Sequence, residues 1–326
     1  MPLPECAMSI PIVGKRQVYA VDVVQKALSQ LDEQAQPHLA RQLHRMVQAG
    51  GSRYVSKPSS HNCLDELYES CPNFAGVLDD LKKYLALAVD GDEPLSFMPI
   101  LLLGDPGVGK THFGKALGAA LGTDFRFVSM ASTTAGFILS GASSTWKDSK
   151  PGLVAKALVE GLLANPVFLI DEVDKGQATG MHDPLGPLYS LLESETAAEF
   201  IDEYLEVPVD ARGITWVFTA NDQRGIPEPI LSRMAVYEVP APTFEQARNV
   251  AQSIYQYLLR EHRWKFEPAL SSDCVDAAAT FPPREMRKRI LDAMGNAKVW
   301  KRDRVLVDDF GTTTAAYKRT IGFTLR

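Results

Sequence analysis

Eight consecutive residues, Gly104-Asp105-Pro106-Gly107-Val108-Gly109-Lys110-Thr111, have the types and spacing that hold a phosphate chain. They complete G-x-x-x-x-G-K-[ST]. The glycines let successive backbone N–H groups turn inward on phosphate oxygens, Lys110 reaches the β/γ-phosphates, and the Thr111 hydroxyl can ligate Mg²⁺. A second cluster lies downstream, where the apolar run Val167-Phe168-Leu169-Ile170 ends in Asp171-Glu172. Asp171 is placed to hold the Mg²⁺ shell, and Glu172 to orient and polarise an attacking water. Phosphoryl transfer asks for little beyond positioning and charge neutralisation, so both carboxylates have a physical task. Guanine readers usually carry N-K-x-D to bond the base edge. No such tetrapeptide occurs, which points to adenine and so to ATP and Mg²⁺ as cofactors.

These side chains need a scaffold that brings strand ends together. Pro99-Ile100-Leu101-Leu102-Leu103 reads as a buried parallel strand leading into the glycine loop, and Phe113, Leu117 and Leu121 repeat at helical spacing behind Lys110. Further strand-like runs at Phe125 to Met130, Val167 to Asp171 and Ile214 to Thr219 alternate with helical stretches. Such alternation predicts an α/β fold, a parallel sheet flanked by helices with ligands at the C-terminal ends of the strands. The Gly104 loop, Asp171 and Asn221 all fall at such ends. From Val18 to Ala49 the pattern predicts a helical hairpin, and the polar stretch from Ser52 to Asn62 reads as a linker. After Pro240-Ala241-Pro242 the periodicity is wholly helical, over Phe244 to Leu259, Cys274 to Phe281, Arg284 to Val299 and a last segment from Asp308. The expected division is an N-terminal helical segment and linker over 1–60, an α/β nucleotide-binding domain over 61–242 and a small helical domain over 243–326.

With 326 residues, 45% hydrophobic and 23% charged, the chain is of the globular class. No apolar run approaches the ~20 residues that span a bilayer, and the first residues lack a basic region followed by an apolar core, so a cytoplasmic protein without membrane contact is expected. Cys6, Cys63, Cys71 and Cys274 are scattered and read as reduced structural thiols. The formal charge of −6 argues against a broad phosphate-backbone footprint, so nucleic acid is not favoured as a partner. Two local basic clusters remain: Arg284, Arg287, Lys288 and Arg289, then Lys298, Lys301, Arg302 and Arg304. They read as solvated helix faces plus one nucleotide contact.

The blocks Phe168-Leu169-Ile170-Asp171-Glu172-Val173-Asp174-Lys175, His182-Asp183-Pro184, Leu191-Leu192-Glu193 and Tyr204-Leu205-Glu206-Val207 carry a resemblance to AAA+ ATPases. More narrowly, residues from about Phe74 to Val299 resemble the ATPase module of Lon proteases. The resemblance implies a P-loop AAA+ α/β domain with a C-terminal helical lid, assembled as a homo-oligomeric, hexameric ring with ATP between subunits. It implies catalytic roles for Glu172, for Asn221 as sensor 1, for Arg233 as the arginine finger acting in a neighbour's site, and for Arg284 as the lid arginine, with Arg287 as the alternative. On the same grounds Trp146 falls on the aromatic that grips substrate polypeptide in the pore, with Lys147 in place of its aliphatic partner and Asp148 in place of glycine. Packing of Trp146 on its own domain is the other reading of that position.

The Lon peptidase domain would follow the lid, and no room for it is expected before Arg326. The expected function is therefore Mg²⁺-dependent ATP hydrolysis that remodels, unfolds or translocates a macromolecule, with protein as the expected substrate, no peptidase activity of its own, and a separate effector or peptidase as a possible partner. The alternatives are a nucleic-acid motor or loader and a nucleotide-gated assembly switch acting on a partner protein.

Overall fold

The computed structural model describes residues 12–58, 60–91, 94–132, 136–146, 149–176 and 183–311. The chain divides into two compact units, Met1–Ala241 and Pro242–Arg326.

In the first unit, β1 (Ile12–Gln17) leads into α1 (Val21–Gln30) and α2 (Pro37–Ala49). These helices bury Val24, Leu39, Leu43 and Met46 on their facing sides, as the helical periodicity requires. The stretch expected as a linker then opens as a strand, β2 (Ser52–Ser56), antiparallel to β1 with Lys15 opposite Tyr54. The difference has a physical cause in Arg53. Its charge reads as solvent-facing, yet the side chain is buried, and its guanidinium donates to the carbonyls of Gly50, Ser52 and Val159. Helices α3 (Asp65–Ser70) and α4 (Ala75–Asp90) follow, and α4 lays Val77, Leu78, Leu81 and Leu85 into the core at helical spacing.

The chain continues through β3 (Ile100–Leu103), α5 (Lys110–Ala120), β4 (Phe125–Ser129), α6 (Phe137–Ser140), α7 (Leu153–Glu160) and β5 (Val167–Asp171). After α8 (Leu188–Leu191) and α9 (Ser194–Ala197) comes a small antiparallel pair, β6 (Phe200–Ile201) with β7 (Pro208–Val209). Then come β8 (Thr215–Ala220), α10 (Glu228–Leu231) and β9 (Ala235–Glu238). Five of these strands form one parallel sheet in the order β4-β5-β8-β3-β9, with Leu101 level with Phe218 and Val236. Both faces are covered, so its central strands are apolar without alternation, as Val167, Phe168, Leu169 and Ile170 show by being wholly buried. Strand β9 was not anticipated. It lies at the sheet edge, only four residues long and nowhere fully buried, so it lacks the apolar run that betrays a central strand.

The second unit is a helical lid of α11 (Phe244–His262), α12 (Ser272–Ala279) and α13 (Pro283–Val299). A reciprocal cap starts α11: the Thr243 hydroxyl accepts from the Gln246 N–H at 3.3 Å, and the Gln246 side chain accepts from the Thr243 N–H at 2.9 Å. Tyr255, Leu258, Cys274, Met286, Ile290 and Met294 form its core, and the Tyr255 hydroxyl donates to the Glu267 carbonyl at 2.7 Å. The last segment expected as helical begins with a single 3₁₀ turn, Val307–Phe310, and its continuation from residue 312 lies outside the described residues.

No helix among the described residues is long and apolar enough to cross a membrane. Cys63, Cys71 and Cys274 are free thiols, and Cys6 lies outside the described residues.

Candidate functional site

Strand β3 delivers the chain at its C-terminal end into the loop 104–109, which turns into α5 at Lys110. Gly107 and Gly109 adopt φ of 89° and 106°, a left-handed conformation that side chains resist, and this turns the backbone of the loop inward. Among the described residues the N–H groups of Gly107, Val108 and Gly109 donate to no acceptor. Three free donors beside a helix N-terminus form an anion cradle. The loop is held from behind by Asn73, whose amide donates to the carbonyls of Val108 at 3.2 Å and Pro240 at 3.0 Å. Phe74 stacks on Phe113 of α5, ring centroids 4.3 Å apart.

The chemistry-bearing side chains meet on the neighbouring strand ends. The Thr111 hydroxyl donates to Asp171 Oδ1 at 2.7 Å, and the Thr219 hydroxyl donates to the same oxygen at 2.7 Å. Thr219 in turn accepts from the Glu172 N–H at 2.9 Å, so one β8 hydroxyl fixes both carboxylate-bearing residues. The Lys110 ammonium donates to Asn221 Oδ1 at 2.9 Å and to the carbonyls of Asp105, at 3.0 Å, and Gly104. Burial pushes the pKa of Lys110 down, while the charges of Asp174, Asp171, Asp105 and Glu172 pull it back up. Glu172 itself sits at φ 55°, ψ 49°.

Sequence reasoning missed Thr219, Asn73 and Asp174. Thr219 could have been found, because it is the polar residue next to the end of β8, two before Asn221, where ligand-facing side chains gather. Asn73 is remote in sequence and left no signal. Asp174 is 3% exposed, and neither carboxylate oxygen makes a hydrogen bond, although the Lys175 ammonium lies 3.2 Å from Oδ2. That approach is an ion pair without hydrogen-bond alignment.

Other expected site residues stand apart. The Arg233 guanidinium donates to the Tyr189 carbonyl at 3.1 Å and pairs with Glu193 at 3.1 Å. Arg284 is exposed in the first turn of α13 in the second unit, and Arg287 pairs with Glu261 at 3.0 Å. Trp146 is 55% exposed and borders an open cleft of about 730 Å³ shared with Phe137, Pro187, Glu199, Ile201 and Glu203. None of the phosphate-loop residues lines this cleft. Lys147, Asp148 and His182 lie outside the described residues.

The segment carrying Trp146 is tied at its base to the turn between β6 and β7. Asp202, 0% exposed, accepts from the Gly152 N–H at 2.8 Å through one oxygen and from the N–H groups of Tyr204 and Leu205, at 3.0 and 3.1 Å, through the other. Gly141, at φ 81°, leaves room for this carboxylate: a Cβ there would lie 2.6 Å from Asp202 Oδ1. The Glu203 N–H donates to the Ser140 carbonyl at 2.7 Å, and the Ser144 hydroxyl donates to Glu206 at 3.2 Å. Burial raises the Asp202 pKa to about 6 against the opposing pull of its three N–H donors, and neighbouring Glu203 raises it further.

The fold and this strand-end cluster define a nucleotide-hydrolysing class, and residues 100–240 match the family described as "ATPase family associated with various cellular activities (AAA)". They form an AAA+ ATPase domain, and that family implies catalysis dependent on ATP and Mg²⁺. The Lon protease of Halothermothrix orenii is 39% identical over 189 residues, 57% of this chain and 24% of that protein. Lon protease 1 of Thermus thermophilus is 33% identical over 194 residues, 59% of this chain and 23% of that protein. The aligned part of the chain thus spans about a quarter of the length of the curated relatives it matches. Among solved structures, a RuvB variant of Thermotoga maritima superposes with a TM-score of 0.48 and 18% identity, covering 72% of this chain and 66% of that one. Another structure of RuvB from that organism, titled a Holliday junction branch migration motor, gives 0.46 and 17% with the same coverage.

The expectation that nucleic acid is not favoured as a partner, drawn from the formal charge of −6, does not stand. The physical fault lies in using net charge, which averages over the whole surface and says nothing of a local patch of opposite sign.

Proposed function

We propose that this chain is an Mg²⁺-dependent ATPase that works in an oligomeric ring, as a motor acting on a macromolecule. The observation that carries the reading is the hydrogen-bonded cluster of Thr111, Asp171 and Thr219 beside the Lys110–Asn221 pair, set against three unsatisfied N–H donors of the glycine loop. The donor set fits Mg²⁺: one hydroxyl and one carboxylate offer hard oxygens and leave the remaining positions to phosphate and water. Thr111 and Asp171 would hold the ion, which when bound neutralises charge on the phosphate oxygens. The backbone of Gly104, Asp105, Pro106, Gly107, Val108 and Gly109 cradles the phosphates, and Lys110 turns its ammonium from the loop carbonyls to them. Glu172 accepts a proton from the attacking water while Asn221 orients it.

Arg233 is assigned to stabilise charge in a neighbouring subunit's site, which makes activity depend on a homo-oligomeric, hexameric ring. Arg284 is preferred to Arg287 as the lid arginine, because it has no ion-pair partner among the described residues and Arg287 is held by Glu261. Trp146 is the residue we assign to grip the macromolecule, on the strength of its exposure and its tethered loop. The finer affinity to Lon ATPase modules rests on the aligned identities.

The test is ATP turnover across a range of protein concentrations, with unfolded protein, single-stranded DNA and duplex DNA each added as stimulant. Turnover that rises with assembly and with one of these polymers is expected. Full specific activity in a demonstrably monomeric sample, indifferent to every polymer, would overturn the motor reading and leave a nucleotide-gated switch.

A further inference from the structure

Within the second unit, residues 260–267 run from the last turn of α11 into the chain beyond it, and residues 298–304 do the same at the end of α13. The two segments lie side by side. The Lys298 ammonium donates to the Lys265 carbonyl at 2.7 Å, the Glu267 N–H donates to the Asp303 carbonyl at 2.8 Å, and Arg304 lies 3.7 Å from the Glu267 carboxylate. Together they hold seven Lys or Arg against three Asp or Glu, in a chain whose net charge is −6.

The three acids are already engaged. Glu261 pairs with Arg287 at 3.0 Å and with His262 at 3.5 Å, Glu267 faces Arg304, and Asp303 pairs with Lys298. Arg302 is committed to Asp309 through two bonds of 2.9 and 2.7 Å. This leaves Arg260, Arg263, Lys265 and Lys301 exposed and with no ion-pair partner among the described residues. Two indoles adjoin these cations in the chain, Trp264 between Arg263 and Lys265 and Trp300 next to Lys301. Trp264 is 41% exposed and stacks with His262 at 4.2 Å between centroids, and Trp300 is 74% exposed. Next to it, Val299 is also exposed.

An indole held open to water costs hydration free energy and contributes little to the lid's own core. Cations interleaved with open aromatic faces suit one class of polymer well. Phosphates space negative charge along a backbone, and unpaired bases offer flat π-faces that stack on indole whatever their sequence. A duplex hides those faces, and an acidic peptide has none. We propose that this surface of the helical lid binds single-stranded nucleic acid, with Trp264 and Trp300 as stacking platforms and Arg260, Arg263, Lys265 and Lys301 as phosphate contacts. The proposal goes beyond the motor reading and does not depend on it.

The experiment uses the full chain and a labelled oligothymidylate of about 20 nucleotides, with binding read by anisotropy and contact read by quenching of tryptophan emission. Binding should weaken steeply between about 50 and 200 mM salt. Trp300→Ala and Trp264→Ala should each weaken it at least ~5-fold, the scale of one lost stacking contact. Lys301→Glu and Lys265→Glu should each lower the salt slope by about one or more. Because Trp300 projects into solvent, its loss should leave the melting temperature unchanged, and the two lysine variants repeat the test with core packing untouched. A duplex of the same length should bind more weakly than the single strand. The proposal is overturned if the oligonucleotide fails to bind at ~50 mM salt, or if all four variants bind like the parent. Equal binding and quenching by polyglutamate would also overturn it and assign the surface to an acidic protein partner.

Discussion

The phosphate-loop edge of the sheet and the Trp146 segment are built on opposite plans. At the loop edge, functional side chains bond to one another: Thr111 and Thr219 share one oxygen of Asp171, and Lys110 meets Asn221. At the Trp146 segment the exposed aromatic stands out from a backbone held at its base by one buried carboxylate, Asp202. The difference teaches where a substitution will be felt. On the first edge, changing a side chain is expected to change chemistry directly; on the second, the largest effects are expected from the buried carboxylate that holds the backbone rather than from the exposed ring.

The largest effect expected is on the first edge. Glu172→Gln keeps shape and removes the anionic acceptor, so ATP should still bind while turnover falls by about 10²-fold or more, measured by phosphate release against nucleotide affinity. Normal turnover in that variant would place water activation elsewhere and dissolve the contrast.

The second region should answer most clearly to pH. Asp202 has a folded pKa of about 6, against 3.8 for an ordinary aspartate, so between those values the folded chain binds more protons than the unfolded one. Stability from this group is therefore fully present below pH 3.8 and lost as pH rises through about 6, a swing on the order of 3 kcal/mol. Asp202→Asn has no proton to bind and should lose that slope. It also sets an amide N–H against the Gly152 N–H, destabilising the fold by about 1–3 kcal/mol at neutral pH. Melting curves of both proteins from pH 4.5 to 7.5 check this, and parallel curves would remove Asp202 as the clamp.

On the first edge again, Thr219→Val keeps nearly the same side-chain volume, removes the hydroxyl and leaves the half-buried Glu172 N–H without its acceptor. The cost should be about 1–3 kcal/mol of stability, with weaker Mg²⁺-nucleotide affinity by titration. The smallest change in stability is expected at Trp146. Trp146→Ala should shift unfolding by under about 1 kcal/mol, whereas buried Trp216→Ala should cost about 3–5 kcal/mol. Loss of polymer-stimulated turnover in a Trp146→Ala protein that melts normally would sharpen the division. Melting as early as Trp216→Ala would show the ring to be packing.

The two regions were unequally legible in the sequence. Asp171 and Asn221 could be placed because each stands at or just past the end of an apolar strand, Lys110 and Thr111 because they close the glycine loop that follows β3, and parallel strands bring their C-terminal ends to one edge. Thr219 was hidden because threonine inside an apolar run reads as strand propensity. Strand β2 was hidden because a buried arginine that donates to backbone carbonyls looks, in sequence, like a solvated one. Asp202 left no trace, since its role depends on Gly141 and Gly152, which only the fold brings to it. The helical lid was visible from its periodicity; its basic residues read as solvated helix faces plus one nucleotide contact, a reading that did not weigh the exposed Trp264 and Trp300 beside them.

Glu172 sits at φ 55°, ψ 49°, a backbone shape that glycine adopts freely and a glutamate resists. Glycine at this position would relax the backbone by an amount on the order of 1 kcal/mol while discarding the carboxylate. A campaign that ranked variants by heat resistance alone would therefore be drawn to this position and would select silent, durable proteins. The reverse screen, for turnover at moderate temperature, should reject every glycine there. The strained torsion marks the position where the demands of folding and of chemistry conflict in this chain.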